Sequence, residues 1–290
     1  ELPDGNGYAF ASESCALDAV GAKFIRDVRP GEIVIADRNG LRTMEDHCGA
    51  APHTMCVFEY IYFARPDSVI EGTCVHEARL QAGRFLAQEH PVEADVVIGA
   101  PDSGLDAALG YAQESGIPYG VGFIKNKYVG RTFIQGSQAQ RESSVRIKLN
   151  AITSTVKGKR VVLVDDSIVR GTQLGETTEF LYHSGAREVH IRPACPPILY
   201  GCKYLNFSRS TSEMELISRR VIEKLENGHV TDEILKEYAD PESARYEAMQ
   251  EEIRRQLNFT SLRFNRLDDL IEATGLDKSK LCTYCWDGEE

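Results

Sequence analysis

The residues with the clearest chemical spacing are two adjacent acids, Asp165 and Asp166, which directly follow the apolar run 161–164. A run this short and this rich in β-branched residues predicts a buried strand. The hydroxyl-rich loop 167–172 comes next and leads into a helical pattern over residues 172–184. Backbone N–H groups in a tight turn before a helix bind phosphate, and paired carboxylates bind sugar hydroxyls or Mg²⁺. The spacing therefore suits a ribose 5-phosphate, although two acids alone would also serve as a helix cap.

Composition narrows the classes of partner. The 290 residues carry 44 Asp and Glu against 33 Lys and Arg, a net charge of −11, which argues against nucleic-acid binding. No apolar run reaches membrane-spanning length and no signal-peptide pattern opens the chain, so we expect no membrane partner. The eight cysteines then predict free or metal-bound thiols in a reducing cytoplasm rather than a disulfide framework.

Strand and helix patterns alternate between about residues 70 and 200 and predict a parallel sheet whose ligand-binding loops follow the carboxyl ends of its strands. The predicted strands cover residues 96–98, 119–124, 160–164 and 188–192. The predicted helices cover residues 75–89, 105–115, 138–149 and 172–184.

The two ends of the chain have different patterns. The first 50 residues predict strands at 9–15 and 32–36, with a hairpin turn at Asn39-Gly40. The last part is rich in helical patterns that start at capping residues and end near Gly or Pro. These predicted helices cover residues 212–225, 231–238, 242–257 and 267–274.

The acid–acid, small-residue, Gly-Thr loop at 165–172 resembles the signature of the type I phosphoribosyltransferases. Residues 97–104 resemble the strand and pyrophosphate loop of those enzymes, and residues 124–134 resemble their flexible catalytic loop. With the further match over 58–68, nearly the whole chain resembles the glutamine phosphoribosylpyrophosphate amidotransferase (amidophosphoribosyltransferase) family. The resemblance implies an α/β type I phosphoribosyltransferase fold with a parallel sheet.

The same resemblance implies three regions. Residues 1–50 are expected to be a short β remnant of the family's glutaminase (Ntn hydrolase-like) domain, 51–210 the phosphoribosyltransferase domain, and 211–290 a helical C-terminal region with a cluster-binding tail. The family's glutaminase domain starts with a catalytic cysteine, whereas residue 1 here is Glu1. We therefore expect a fragment or separate subunit that uses ammonia only; the alternative is a complete protein with an ordinary β-arm.

The implied activity is formation of 5-phosphoribosylamine from phosphoribosyl pyrophosphate and ammonia, the first step of de novo purine biosynthesis. The implied partners are purine nucleotides as feedback inhibitors, a glutaminase domain or subunit, and further copies of the chain. Two rivals stay open: a nucleobase phosphoribosyltransferase, and a nonenzymatic regulator that senses nucleotides or phosphoribosyl pyrophosphate. The complete loop 125–132 counts against the regulator, because sensing needs no water-excluding lid.

The family resemblance also implies roles for individual residues. Mg²⁺ is expected on Ser103, Asp165 and Asp166, and the same two acids on the ribose hydroxyls. The pyrophosphate is expected against Asp102, Ser103 and Gly104. The 5-phosphate is expected on Ser167, Ile168, Val169, Arg170, Gly171 and Thr172. The catalytic residues on the closing loop are expected to be Lys125, Lys127, Tyr128 and Arg131.

The CxxC pair Cys282 and Cys285 alone predicts half a zinc site, a redox pair or a coincidence. The resemblance includes the family's iron–sulfur class, which implies that Cys56 and Cys202 complete a 4Fe–4S site. Cys195 is a second candidate for the position of Cys202, and zinc stays an alternative metal. The other three cysteines, Cys15, Cys48 and Cys74, are predicted to be buried small apolar residues.

Overall fold

The structure, a computed structural model, describes residues 1–126, 149–205 and 212–289. In those residues the helices are α1 Ser14–Ala19, α2 Val75–Glu89, α3 Leu105–Ser115, α4 Thr153–Val156, α5 Thr172–His183, α6 Ile217–Leu225, α7 Asp232–Ala239, α8 Ala244–Gln256, α9 Leu267–Thr274 and α10 Tyr284–Asp287. The strands are β1 Ile33–Asp37, β2 Gly40–Met44, β3 Met55–Cys56, β4 Val69–Ile70, β5 Thr73–Cys74, β6 Val96–Gly99, β7 Phe123–Lys125, β8 Leu149–Ala151, β9 Arg160–Asp165, β10 Glu188–Pro193, β11 Ser261–Leu262 and β12 Leu281–Cys282. A π-helix covers Glu59–Phe63, and 3₁₀ turns cover Glu213–Glu215 and Lys278–Lys280.

The chain divides into two compact units, one of residues 1–78 with 271–282 and one of residues 79–270 with 283–290.

The larger unit is built on a parallel four-stranded sheet in the order β11-β10-β9-β6. The predicted parallel sheet is therefore confirmed. In β9, Val161 and Leu163 belong to the core on one face, and Val162 and Val164 to the core on the other. Because the strand is buried on both faces, its sequence is a continuous apolar run rather than an alternating one.

Helices cover both faces of this sheet. On one face, α5 and the helices α6 to α8 contribute buried apolar side chains to the core shared with Leu163. On the other face, α2 and α3 pack at very short range, because a Cβ on Gly83 would lie 2.0 Å from the Ala107 carbonyl oxygen. A Cβ on Gly110 would likewise lie 2.0 Å from the Leu80 carbonyl oxygen. Glycine at both positions therefore sets the separation of the two helices.

Most of the predicted elements of this unit are observed. Helices α2 and α3 have the predicted bounds, and β6, β9 and β10 each extend one residue past the prediction. The predicted strand 119–124 is wrong over most of its length, since only its last two residues lie in β7 and Tyr119 forms an isolated bridge to Val97. The predicted helix 138–149 falls outside the described residues except for Leu149, which begins β8.

The predicted C-terminal helices also form, with one interruption. Ser212 caps the 3₁₀ turn that follows it, and Leu216 is extended, so α6 starts later than predicted. Thr231 caps α7 and Ser243 caps α8, each through its side-chain oxygen.

The smaller unit contains short elements. The β1–β2 hairpin turns between Asp37 and Gly40, as the Asn-Gly signal predicted. The predicted strand 9–15 is wrong: α1 begins at Ser14, and residues 9–13 belong to no strand in the part of the chain that the structure describes. The Glu13 carboxylate instead accepts hydrogen bonds from the Arg65 N–H at 2.8 Å and the Ser68 hydroxyl at 2.9 Å, which holds this segment without strand pairing.

Among the described residues, no helix combines the length and the apolar character needed to cross a bilayer.

The α2–α3 contact gives a prediction for stability. Gly110→Ala should lower the free energy of unfolding by about 2 kcal/mol, because its methyl group meets backbone that cannot move aside cheaply. The matched control is Gly175→Ala in the interior of α5, where the new methyl would lie 3.5 Å from the Leu257 side chain and should stabilise by about 0.5–1 kcal/mol. Urea unfolding of both variants measures the difference, and equal effects would contradict this account of the helix contact.

Candidate active site

The carboxylate pair lies where β9 ends. Asp165 and Asp166 are both half-buried, and the Asp166 N–H donates to Asp165 Oδ1 at 2.9 Å. The Ser167 hydroxyl donates to Asp166 Oδ2 at 2.6 Å. Burial, followed by the charge of Asp166, raises the pKa of Asp165 well above its ordinary value. The strand end therefore holds two acids close enough to disfavour a second negative charge, an arrangement that favours a cation or hydroxyl donors.

The loop after the neighbouring strand β6 meets this pair. The Ser103 hydroxyl donates to Asp166 Oδ1 at 2.8 Å, and the Ala100 N–H donates to the Val164 carbonyl at 2.9 Å. A Cβ on Gly104 would lie 2.6 Å from that same carbonyl oxygen, and one on Gly99 would lie 2.8 Å from the Gly104 carbonyl oxygen. The structure thus brings together the predicted residues of the two strand-end loops.

Gly99 is a site residue that the sequence interpretation missed. Its signal was present, because a glycine at the end of an apolar strand often marks a close backbone approach. The loop also contains a cis peptide bond, between Pro101 and Asp102.

The predicted phosphate loop leads directly into α5. Gly171 precedes the helix with a φ of 81°, in the left-handed region, and a Cβ there would lie 2.6 Å from the Ile217 side chain. Thr172 is exposed at the first position of this 12-residue helix, whose first N–H groups have no partner within the helix. Ile168 is buried in the core, so only its backbone is placed to contact a ligand. The loop therefore has the geometry of an anion site.

Residues far along the chain support this loop. The Ile217 N–H donates to the Val169 carbonyl at 2.8 Å, and Arg220 Nη2 donates to the Arg170 carbonyl at 2.8 Å. The Arg170 side chain, which was assigned to the substrate, forms an ion pair with Glu215. The sequence contains no local signal for these supports, because each lies at least 45 residues from the loop residue that it contacts.

Of the four predicted catalytic residues, Lys125 lies in the described part of the chain. Its Nζ lies 2.5 Å from Asp102 Oδ2, and both side chains are exposed. The other three, Lys127, Tyr128 and Arg131, lie outside the described residues.

Two of the four predicted cluster cysteines lie in each unit. In the smaller unit, Cys56 and Cys282 are register partners in the parallel β3–β12 ladder. In the larger unit, the Leu199 and Tyr200 N–H groups donate to the Cys285 carbonyl at 2.9 and 3.1 Å, three and two residues before Cys202. All eight cysteines lie in the described residues, and none of them forms a disulfide. Within residues 1–126, 149–205 and 212–289, no group of three or more His, Cys, Asp or Glu has the arrangement of a metal site.

The remaining cysteines differ in burial. Cys195 is fully buried and donates to the Pro196 carbonyl at 3.3 Å, and burial raises the pKa of its thiol. Cys15 is buried as predicted, but the prediction is wrong for Cys48 and Cys74, which are half-buried. These two lie in short turns and strands of the smaller unit, which provide little apolar cover.

The raised pKa of Asp165 predicts an unusual stabilising substitution. Since the folded chain holds this proton more tightly than the unfolded chain, stability falls as pH rises from the ordinary pKa of 3.8 through the raised one. Asp165→Asn removes that loss and should raise the melting temperature at pH 7, by an amount equivalent to about 1.4 kcal/mol for each unit of pKa shift. The gain should vanish near pH 3.8.

Asp95→Asn, at the opposite end of β6, is the matched control with the opposite sign. Hydrogen bonds from Arg160 lower the pKa of Asp95 to about 2, so its stabilising effect is present above pH 3.8 and lost as pH falls through 2. This variant should melt at a lower temperature at pH 7. Thermal melts from pH 2 to 8 test both signs, and a destabilised Asp165→Asn at pH 7 would contradict the account of Asp165.

Comparison with known proteins agrees with the geometry. Residues 75–195 match the phosphoribosyl transferase domain family. The amidophosphoribosyltransferase of Mycobacterium tuberculosis is 45% identical over 284 residues, which cover 98% of this chain and 49% of that protein. The chain thus spans about half the length of the curated relatives it matches.

Two solved structures are similar over most of the chain. The allosteric regulatory enzyme of purine biosynthesis superposes with a TM-score of 0.78 at 40% sequence identity. The aligned part is 99% of this chain and 58% of that one. The glutamine phosphoribosylpyrophosphate amidotransferase of Bacillus subtilis, complexed with ADP and GMP, gives 0.77 at 42% identity, with 96% of this chain and 55% of that one covered. The predicted fold class is therefore confirmed: this α/β chain with a parallel sheet is similar in fold to these amidotransferases, and residues 75–195 match the phosphoribosyl transferase domain family.

Proposed function

We propose that this chain is the phosphoribosyltransferase part of an amidophosphoribosyltransferase and forms 5-phosphoribosylamine from phosphoribosyl pyrophosphate and ammonia, the first step of de novo purine biosynthesis. The observation that carries the proposal is the 2.8 Å hydrogen bond from the Ser103 hydroxyl to Asp166 Oδ1. It places the loop assigned to pyrophosphate beside the acids assigned to ribose, next to the loop assigned to the 5-phosphate.

Backbone groups would bind the 5-phosphate, and side chains would bind the ribose and the pyrophosphate. N–H groups of residues 167–172 would hold the 5-phosphate at the start of α5, where the helix dipole favours negative charge. Asp165 and Asp166 would accept hydrogen bonds from the ribose hydroxyls, since both are half-buried acceptors at the edge of that loop. Residues 102–104 would line the pyrophosphate, whose charge attracts the ammonium of Lys125.

The reaction needs charge neutralisation and exclusion of water. As pyrophosphate leaves, ribose C1 gains cationic character, which water would quench. Lys125, whose Nζ lies 2.5 Å from Asp102 Oδ2, would form an ion pair with the leaving pyrophosphate. We further propose that Lys127, Tyr128 and Arg131 close over the site, which would admit ammonia and exclude water. Ammonia then needs orientation rather than a strong base.

The donor set at the strand ends fits Mg²⁺. Ser103, Asp165 and Asp166 offer hydroxyl and carboxylate oxygens, the ligands this hard cation prefers. A cation there would also relieve the repulsion that contributes to the raised pKa of Asp165. When bound, Mg²⁺ would supply charge neutralisation to the pyrophosphate.

We propose that Cys56, Cys202, Cys282 and Cys285 hold a 4Fe–4S cluster. The support is the placement of Cys56 beside Cys282 in one ladder, and the hydrogen bonds that hold the chain before Cys202 to Cys285. Thiolate sulfurs suit iron–sulfur chemistry, and zinc is the alternative metal. Cys202 is favoured over Cys195, because Cys195 is fully enclosed and bonded to the Pro196 carbonyl.

The partners follow from the same proposal. Purine nucleotides are proposed as feedback inhibitors, supported by the Bacillus subtilis structure complexed with ADP and GMP. A glutaminase domain or subunit is proposed as a partner. Its proposed contact surface is residues 1–50, where several large apolar side chains are exposed. These side chains include Tyr8, Phe10, Phe24, Ile25 and Val28. Assembly of several copies and a cytoplasmic location complete the proposal.

Pyrophosphate release tests the activity. The purified chain with Mg²⁺ and phosphoribosyl pyrophosphate should release pyrophosphate when ammonium is added, and not when a nucleobase is added. Asp166→Asn should lower kcat by about 100-fold, because it removes a charged contact to the site, while Asp95→Asn at the opposite end of β6 should leave kcat unchanged. Release that depends on a nucleobase would establish the base-specific enzyme instead. Binding without any release would establish the regulator.

Metal analysis tests the cluster. Anaerobically purified chain should contain iron and acid-labile sulfide at four of each per chain, and Cys202→Ser should lose both. Cys48→Ser is the matched control and should retain them, since Cys48 belongs to no proposed site. Stoichiometric zinc without labile sulfide would replace the cluster with a zinc site. Loss in Cys195→Ser but not in Cys202→Ser would identify Cys195 as the ligand.

A further inference from the structure

A second polar cavity opens beside the paired strands β10 and β11 of the larger unit. Its volume is about 510 Å³, and Asp165, Asp166 and residues 100–104 are not among its lining residues. The side chains that matter to its chemistry are Glu89, His90, His190, Arg192, Glu251 and Ser261. The cavity is therefore separate from the site described above and is of a size that holds small ligands.

Arg192 is the residue that needs explanation. Only 2% of its surface is exposed, yet it is a charged side chain in the middle of the sheet. Its Nη1 donates to the Ile191 carbonyl at 3.0 Å and to the Ser261 hydroxyl at 3.1 Å, and its Nε donates to the His90 carbonyl at 3.3 Å. Every one of these partners is a neutral oxygen. Across the described residues, Arg192 forms no ion pair with a carboxylate.

The carboxylates around the cavity are already engaged with other arginines. Glu251 pairs with Arg254 at 2.7 Å, and Glu89 pairs with Arg266 at 3.0 Å. The nearby Arg263, which also lines the cavity, pairs with Glu247 at 3.2 Å. These pairs leave the guanidinium of Arg192 as a buried charge without a counter-charge.

The two histidines do not provide that counter-charge, and they do not add to the positive charge at neutral pH. Burial, followed by the charge of Arg192, lowers the pKa of His90 to about 4. The same two causes lower the pKa of His190, whose Nδ1 lies 2.9 Å from the Ser261 hydroxyl. Both rings are thus neutral hydrogen-bonding groups beside the guanidinium.

A buried guanidinium is costly unless an anion or a full set of strong acceptors offsets it. Its planar set of donors matches the oxygens of a phosphate group. We propose that this cavity is a binding site for a phosphate group, free or as a phosphomonoester, with Arg192 as its counter-charge and Ser261 as a neighbouring hydroxyl. The bound phosphate would form an ion pair with the Arg192 guanidinium, which has no carboxylate partner among the described residues.

The experiment uses the full chain with Thr172→Asp, which places a carboxylate in the phosphate loop and removes that loop as a second phosphate site. Isothermal titration with inorganic phosphate at constant ionic strength should then show one bound equivalent. A parallel titration with glycerol 3-phosphate distinguishes the two sources, since the tighter of the two ligands identifies the form that the cavity prefers.

Substitution at Ser261 tests whether Arg192 lacks a negative counter-charge, and it leaves Arg192 itself in place. Ser261→Asp supplies a carboxylate where the Arg192 Nη1 already donates, and should weaken phosphate binding by about 10-fold or more. Ser261→Asn matches that aspartate in size without its charge, so it should bind phosphate at least about 10-fold more tightly than Ser261→Asp. Without phosphate, Ser261→Asp should also melt at a higher temperature than Ser261→Asn. Absence of phosphate binding in the Thr172→Asp chain, or equal affinities in the two Ser261 variants, would overturn the proposal.

Discussion

Two carboxylates placed side by side at a strand end repel each other, and the surrounding structure is arranged around that repulsion. Asp165 is half-buried and accepts the N–H of Asp166, while Asp166 accepts the hydroxyls of Ser103 and Ser167. These bonds offset part of the charge and connect the ends of two neighbouring strands. The positions of the two strand-end loops therefore depend on the hydrogen bonds that this pair accepts, and the proposed cation or sugar hydroxyls would add further partners.

Local sequence was sufficient for the framework of this site. The runs 96–98 in β6 and 161–164 in β9 are apolar without interruption, because each of these two strands is covered on both faces. The glycine and hydroxyl residues after β9 indicated a turn into a helix, and α5 begins at Thr172 as predicted. The parallel sheet, the bounds of α2 and α3 and the acid pair were therefore predictable from patterns a few residues long.

Contacts between distant residues were not predictable in this way. Glu215, Ile217 and Arg220 support the phosphate loop, yet nothing near them in sequence indicates a ligand. The strand 9–15 failed for a related reason, because a strand needs a partner and Glu13 is instead bound by Arg65 and Ser68. Likewise, only the structure shows that Arg192 is buried with neutral oxygens as its hydrogen-bond partners.

Asn265 shows how contacts between distant residues limit which segment of the chain could be moved into another protein. Its buried amide donates to the carbonyls of Ala82 and Ala194, at 3.0 and 3.1 Å, and β11 beside it pairs with β10. Both lie well beyond residue 195, where the match to the transferase family ends. The segment that matches the family is thus smaller than the segment that completes its hydrogen bonds and its sheet. Transplanting residues 75–195 alone would leave two buried carbonyls unpaired and one edge of β10 bare, so a stable transplant must also include β11 and Asn265.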